Sequence, residues 1–286
     1  MIKFSFLSEN KTDNPGCLAE HGLSIYIEAD GKKLLFDTGA SDLFIHNADK
    51  MKVLLHEVDA VIISHGHYDH TEGVPFFCTI NKKAPIYIHQ KAFEESYGME
   101  NGVLDKEPCS ILWNPEQKEE INPRCILTEG VLNLSEDILI SGSVPDVEGN
   151  IPTEKFFIKK QTAEGNYKIT PDTMKHEQFL AIRDRDLNGA SKGIYIFSGC
   201  SHKGVIPVLR YAKSLFPDER IAGLIAGMHL YSANKETRSR VVEEVVKEHI
   251  DLVMPVHCTG IQAICDLKQV LGEKCVVATA GDCYEF

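Results

Sequence analysis

Val58-Asp59-Ala60-Val61-Ile62-Ile63-Ser64 is almost fully apolar, and it runs without a break into His65-Gly66-His67-Tyr68-Asp69-His70. A short apolar run of this kind belongs to a strand buried on both faces. The chain must therefore set three imidazoles and a carboxylate at the end of a buried strand. Imidazole nitrogen and carboxylate oxygen suit zinc, iron or manganese. Two histidines at i and i+2 past the strand can face one ion. Asp69 and His70, next along the same turn, can address a second. Gly66 permits a tight backbone, and the buried strand supplies the rigid platform that metal geometry needs. The competing reading is a solvated His-rich loop, and the apolar strand directly before the cluster argues against it.

The surrounding pattern predicts which architecture this strand joins. Residues 22–29 alternate and are rich in β-formers, Asp30-Gly31 is a hairpin turn signal, and residues 33–37 return. Residues 84–89 read as another short strand and 91–97 as a helix. From about 98 to 171 the signals weaken, with short strands at 138–140 and 155–158 among Gly, Pro and Asn. This segment is expected to be a loop-rich insertion on a single domain spanning 1–286. The last third alternates: strands at 193–198, 221–227, 252–256 and 275–280, helices at 204–216, 237–249 and 261–271. Hairpins followed by β-α-β units predict an α+β fold with mixed sheets covered by helices. Val241, Val242, Val245 and Val246 form a stripe that reads as core packing.

His-x-His-x-Asp-His after a strand resembles the signature of the metallo-β-lactamase superfamily, and the likeness extends over nearly the whole chain. Phe36-Asp37-Thr38-Gly39 resembles its early Asp motif, and Pro255-Val256-His257-Cys258 its late His motif. Ser198-Gly199-Cys200 falls where members carry an acidic or cysteine ligand. Ala19-Glu20-His21-Gly22-Leu23-Ser24, Gly199-Cys200-Ser201-His202-Lys203-Gly204, Ala226-Gly227-Met228-His229-Leu230 and His257-Cys258-Thr259-Gly260 resemble one branch of it. That branch holds metal-dependent hydrolases and a dihydropterin-ribofuranosylaminobenzene-phosphate synthase of pterin-cofactor biosynthesis. The resemblance implies an αββα sandwich, two mixed sheets flanked by helices, with the metal site at one edge between the sheets. It also implies that Asp37 orients a metal-binding histidine by a hydrogen bond.

The remaining candidates are weighed singly. His257 follows a buried strand and precedes a helix, so it is expected to serve the second ion. For Cys200, a zinc-binding thiolate and a buried free cysteine stand level. The third imidazole of the first ion comes from His176, His202 or His89. The interval before Cys200 favours His176 as ligand, which leaves His202 in the substrate pocket. His229 ends another strand and is assigned to substrate contact, against a purely structural role. Glu20 and His21 are expected at the mouth of the site. Lys203 and the start of the 204–216 helix can hold an anionic group, against a capped helix with a solvated lysine. His46, His56 and His249 lie on polar segments and read as surface residues.

Composition narrows the partners. Thirty Lys+Arg against 42 Asp+Glu give a net charge of −12 over 286 residues, which argues against nucleic acid or an anionic membrane. No apolar run approaches the roughly 18 residues of a membrane span. The first residues lack the layout of a signal peptide, so a cytoplasmic location is expected. Nine cysteines without a Cys-x-x-Cys pair are expected to be mostly reduced and buried. The function expected is metal-dependent hydrolysis of a small ester, thioester, amide, lactam or phosphoester, with one or two Zn2+ ions, iron or manganese being the other choices. Asp69 binds metal and holds the proton of the attacking water, and His202 or His229 stabilises the oxyanion or protonates the leaving group. The alternatives are a pterin-cofactor synthase using the same metal as Lewis acid and a non-catalytic ligand-binding protein on this fold.

Overall fold

A computed structural model describes residues 1–100, 102–147, 155–162 and 165–286. The remaining residues fall within the 98–171 segment, and that part of the expected insertion lies outside the described residues. Two mixed sheets face each other. The first has the order Cys283–Glu285, Ile2–Ser8, Ser24–Ala29, Lys32–Phe36, Ala60–Ile62, Ile86–His89, Cys125–Thr128. Its pairs are antiparallel as far as Lys32–Phe36 and parallel beyond. The second has the order Leu132–Asn133, Ile138–Ile140, Phe179–Arg185, Ser191–Ser198, Ile221–Ala226, Leu252–Pro255, with the last two pairs parallel.

Three apolar clusters build the αββα sandwich. Phe4, Phe6, Phe36 and Ile62 of the first sheet meet Leu180, Phe197, Ile225 and Met254 of the second. Outside the first sheet, Phe44, Val74, Phe77 and Trp113 pack on Leu35, Val61 and Ile63. Outside the second, the helices Val205–Leu215, Lys235–Lys247 and Ile261–Leu271 pack on Ile196, Leu224 and Val253. The valine stripe belongs there: Val242 and Val245 are buried, Val241 and Val246 partly so. Among the described residues no helix is long and apolar enough to cross a membrane.

Three local expectations change. Residues 91–97 are not a helix: Gln90–Phe93 is one 3-10 turn, and Ser96–Tyr97 pairs with Phe157–Ile158 far along the chain. Residues 275–280 form no strand, touching Leu252–Pro255 at one bridge, Val253 to Cys275. The chain then leaves for the N-terminal loop, where the Ala280 amide donates to the Lys11 carbonyl. The last strand is Cys283–Glu285, beside Ile2–Ser8, whose Phe4 and Phe6 alternate into the core. The 98–171 segment is also more than loops. It gives Cys125–Thr128 to the edge of the first sheet and Leu132–Asn133 and Ile138–Ile140 to the second.

Candidate metal centre

The parallel strands of both sheets end at one edge of the sandwich, and every donor expected from the sequence lies on a turn that leaves a strand there, His176 excepted. The first sheet contributes the loop after Ala60–Ile62. Gly66 is needed in it for close approach, since a Cβ would stand 2.2 Å from the Ala92 carbonyl oxygen. Asp37, at the end of the neighbouring strand, braces this loop. One oxygen of Asp37 accepts the Ser64 amide at 2.7 Å. The other accepts the Ser64 hydroxyl at 2.7 Å and His70 Nδ1–H at 2.6 Å. This is the orienting contact expected of Asp37.

The brace sets the tautomers. Ser64 has one hydroxyl proton and gives it to Asp37, so toward His65 Nδ1, 2.9 Å away, it accepts. His65 therefore carries its proton on Nδ1 and presents a bare lone pair at Nε2. That Nε2 lies 3.2 Å from Nε2 of His202. The His67 ring stands 4.6 Å from His65 and 4.6 Å from His202. Its buried Nε2 has no hydrogen-bond partner among the described residues. A second group lies alongside. His70 Nε2 is 3.2 Å from Cys200 Sγ, and His257 Nε2 is 3.1 Å from Asp69 Oδ2. The donor atoms of Asp69, His70, Cys200 and His257 all fall within 4.8 Å of one another, as do those of His65, Cys200 and His202.

Electrostatics keep His65, His67, His202, His229 and Asp69 in the form that metals bind, whereas His70 and Cys200 hold a proton that a cation must displace. Burial pushes the His67 imidazole down to about 3 and His229 to about 4, and holds His65 and His202 well below their ordinary range. They are neutral at pH 7, with a lone pair to offer. Burial opposes ionisation of Asp69, yet His70 and the contacts from His21 and His257 outweigh it, and the carboxyl is held well below its usual range. Burial likewise pulls His70 down, but Asp37 and Asp69 prevail and raise it. The Cys200 thiol is driven well above its ordinary range by burial, so its proton leaves only when a cation takes its place. Buried lone pairs, an ionised carboxylate and a sulfur converging without a counter-cation fit a divalent metal site in donor chemistry and in number.

The structure separates the candidates for the third imidazole. His202 stands among the donors and also lines the neighbouring cavity. His176, favoured from the sequence, lies in neither group. Its Nδ1 accepts the Gly66 amide at 3.0 Å, and its Nε2 faces Asp172 at 3.5 Å. Both nitrogens are committed to holding the loop from behind. His89 is committed too, accepting the Lys91 amide at Nδ1 and meeting Ser143 Oγ at Nε2. His46, His56 and His249 are exposed.

The pocket residues are placed less evenly. The His229 ring lies tilted against His202, with centroids 4.4 Å apart. Lys203 turns its ammonium to the Val144 carbonyl at 2.7 Å and Asp146 at 2.9 Å. The amides of His202 and Lys203, at the turn entering the helix, both donate to the buried Glu177 carboxylate. The oxygens of an internal carboxyl group, whose ionisation burial opposes, thus already satisfy amides that the sequence suggested for a substrate anion. A cavity of about 250 Å³ beside His202 is lined by Lys203, Asp146 and Asp172. His21 Nε2 reaches Asp69 at 3.2 Å, but Glu20 is occupied by Ser8, Ser41 and the Ala40 amide.

Several contributors escaped the sequence reading. Asn10 Oδ1 accepts His257 Nδ1–H at 2.8 Å, and Glu9, fully buried, accepts the His257 amide at 2.6 Å. Phe156 lays its ring 4.7 Å from His67 and 4.9 Å from His202. Left-handed backbone was a further hidden mark: Asp37, Ser201, His229 and His257 have φ of 56°, 52°, 47° and 48°. Such residues cost about 1–3 kcal/mol each and gather where function holds them.

Residues 19–132 match the family model described as the metallo-beta-lactamase superfamily. An uncharacterized protein of Methanocaldococcus jannaschii is 30% identical over 256 residues, 88% of this chain and 89% of that protein. A 7,8-dihydropterin-6-methyl-4-(beta-D-ribofuranosyl)-aminobenzene-5'-phosphate synthase of the same organism is 28% identical over 279 residues, 92% of this chain and 89% of that enzyme. Among solved structures, Tm1679, described as a metal-dependent hydrolase of the beta-lactamase superfamily, superposes with a TM-score of 0.82 at 24% identity, covering 100% of this chain and 99% of that one.

Proposed function

Since this chain belongs to the metallo-β-lactamase superfamily, we propose that it is a metal-dependent hydrolase acting on an ester, amide or phosphoester of a small molecule. His65, His67 and His202 would hold one divalent cation, and Asp69, His70, Cys200 and His257 a second. Zinc suits this mixture of nitrogen, sulfur and oxygen best, with iron or manganese the other choices. A bound cation supplies Lewis acidity and lowers the pKa of water toward about 7. Asp69, ionised and facing His257 and His21, is placed to hold and accept a proton from the attacking water. His229, buried and neutral beside His202, can donate an N–H to a developing oxyanion. Phe156 excludes water from one side of the cluster.

The observation that carries this reading is the pair of Nε2 atoms of His65 and His202, 3.2 Å apart, with the His65 proton committed to Ser64 on the far side of its ring. At that distance the bare His65 nitrogen can take an N–H from His202, and the same edge fits two imidazoles on one tetrahedral cation. The test is metal analysis of the purified chain, then turnover on a panel of esters, thioesters, amides, lactams and phosphoesters before and after chelation. Restoration by added zinc, iron or manganese is the expected result. Full activity in a metal-stripped sample would sink the proposal.

The likeness to the pterin synthase across 92% of the chain favours a second reading, in which the same centre serves carbon–nitrogen bond formation on a reduced pterin. Calorimetry with a reduced pterin separates the two, since a general hydrolase shows no heat of binding at millimolar ligand. Within either reading, 98–171 is an insertion on a single domain that supplies Phe156 to the wall of the cleft, with Asp172 directly after it.

A further inference from the structure

Cys258 plays no part in the centre as described so far, yet the fold carries its sulfur there. It directly follows His257, and its Sγ donates to the Cys200 carbonyl oxygen at 3.7 Å. A glycine makes that reach possible. A Cβ on Gly227 would stand 2.8 Å from Cys258 Sγ, 3.2 Å from Cys200 Cα and 2.2 Å from the Gly199 carbonyl oxygen. Gly227 follows the middle of three consecutive parallel strands, Ser191–Ser198, Ile221–Ala226 and Leu252–Pro255. Its bare backbone is a window between the turns that leave them. Through it Cys200 Sγ, Cys258 Sγ and a His229 ring nitrogen come within 4.8 Å of one another, and all three residues are buried.

This group differs in chemistry from the other two. It has two sulfurs, one imidazole and no carboxylate, a set that selects soft, thiophilic cations over hard ones. A tetrahedral zinc–thiolate site has donor-to-donor edges of about 3.8 Å. Side-chain rotation of about 1 Å closes the group to that size, with no movement of the strands.

We propose that Cys200, His229 and Cys258 form a thiol-rich pole of the centre that takes a thiophilic divalent cation, with Cys258 as a ligand. Cys200 is the sulfur shared with the imidazole and carboxylate donors, and only for that residue does the inference rest on the function proposed above. Binding exchanges two S–H protons, released to solvent, for two metal–sulfur bonds, and the oxidation state of the metal does not change.

Cadmium is the probe. The metal-stripped full chain, kept reduced, is titrated with it while the thiolate-to-cadmium ultraviolet band is followed. C258S, C200S and the double variant are titrated in parallel, and the other seven cysteines are common to all four proteins. Each single variant is expected to lose about half of the band per bound ion, and the double variant nearly all of it at the first equivalent. Cadmium NMR of the unsubstituted chain gives a reading that depends on no variant folding, with a two-sulfur shift expected. A C258S band equal to that of the parent, or a one-sulfur shift, overturns the inference. In that event a loss confined to C200S leaves the proposed centre standing. Failure of any cadmium to bind removes both.

Discussion

The N-terminal sheet supplies its donors from one loop, His65 to His70, whereas the C-terminal sheet supplies Cys200, His202, His229 and His257 from turns after three different strands. The braces differ in the same way. Asp37 alone fixes His70 directly and His65 through Ser64. On the other side, Glu177 fixes the turn of His202, while Asn10 and Glu9 fix His257. Donors on one loop, braced at Asp37 and held from behind by His176, should fail together. Donors on separate strand ends should fail one at a time. The cleft thus joins a cooperative half to a modular half.

Asp69 belongs to both halves, since its carboxylate sits in the loop and meets His257 across the cleft. Asp69→Asn should therefore give the largest effect, a loss of about 10²–10⁴-fold in turnover on whichever substrate the panel identifies. A loss of less than tenfold would mean that the carboxylate is not the shared element.

Asp37→Asn should come next, lowering metal affinity by about 10–100-fold, because the braces of metal ligands are worth that much. Ser64→Ala should overlap with it strongly, as residues of one network do, while Ser64→Ala and Asn10→Ala should add. Competition titration with a chromogenic chelator reads all of these. Additivity within the loop would break the cooperative picture.

Lowering the pH probes the buried imidazoles of both halves in the metal-free chain. Burial brings His67 to about 3 and His89 and His229 to about 4, against an ordinary value of 6.5. Between those limits the unfolded chain binds protons that the folded chain refuses. Their contribution to stability is whole above pH 6.5 and is lost as the pH falls toward 4 and then 3. His70 works in the opposite sense, because its raised value favours the fold at low pH and fades as the pH rises through it. The melting temperature should fall steadily from pH 7 to pH 4, since His65, His67, His89, His202, His229 and His257 are all lowered and only His70 is raised. A flat profile would show that the imidazoles are not buried in neutral form.

The smallest effect belongs to the rim. His21 is mostly exposed and touches Asp69 from solvent. His21→Ala should change metal affinity by no more than about fivefold. A larger change would move His21 from the mouth of the cleft into the centre itself.

The same contrast explains what could be read early. Five of the donors were visible as residues of one motif or as a histidine just past a buried strand. The interval before Cys200 favoured His176 over His202, because spacing along the chain carries no direction for either ring. In the structure His176 accepts the Gly66 amide and lies outside the groups of converging donors, while His202 lies within one. Asn10 and Glu9 gave no local signal, since their partner lies at the other end of the chain. The strand Ile2–Ser8 alternates, Phe4 and Phe6 inward against Lys3 outward, a local signal that could have announced it. Residues 275–280 look like a strand by composition but pair with a neighbour at a single point.

By itself the order of residues determined the mixed sheets, their covering helices and the donor loop, because apolar periodicity and a contiguous donor motif are local properties of the chain; the sandwich followed from the family resemblance that the motif carries. Which lone histidines and cysteines face that loop was decided by tertiary structure. Strand order, a bare glycine window and the direction of each Nδ1 hydrogen bond set where an Nε2 or a sulfur finally points, and none of these is encoded within reach of the residue concerned.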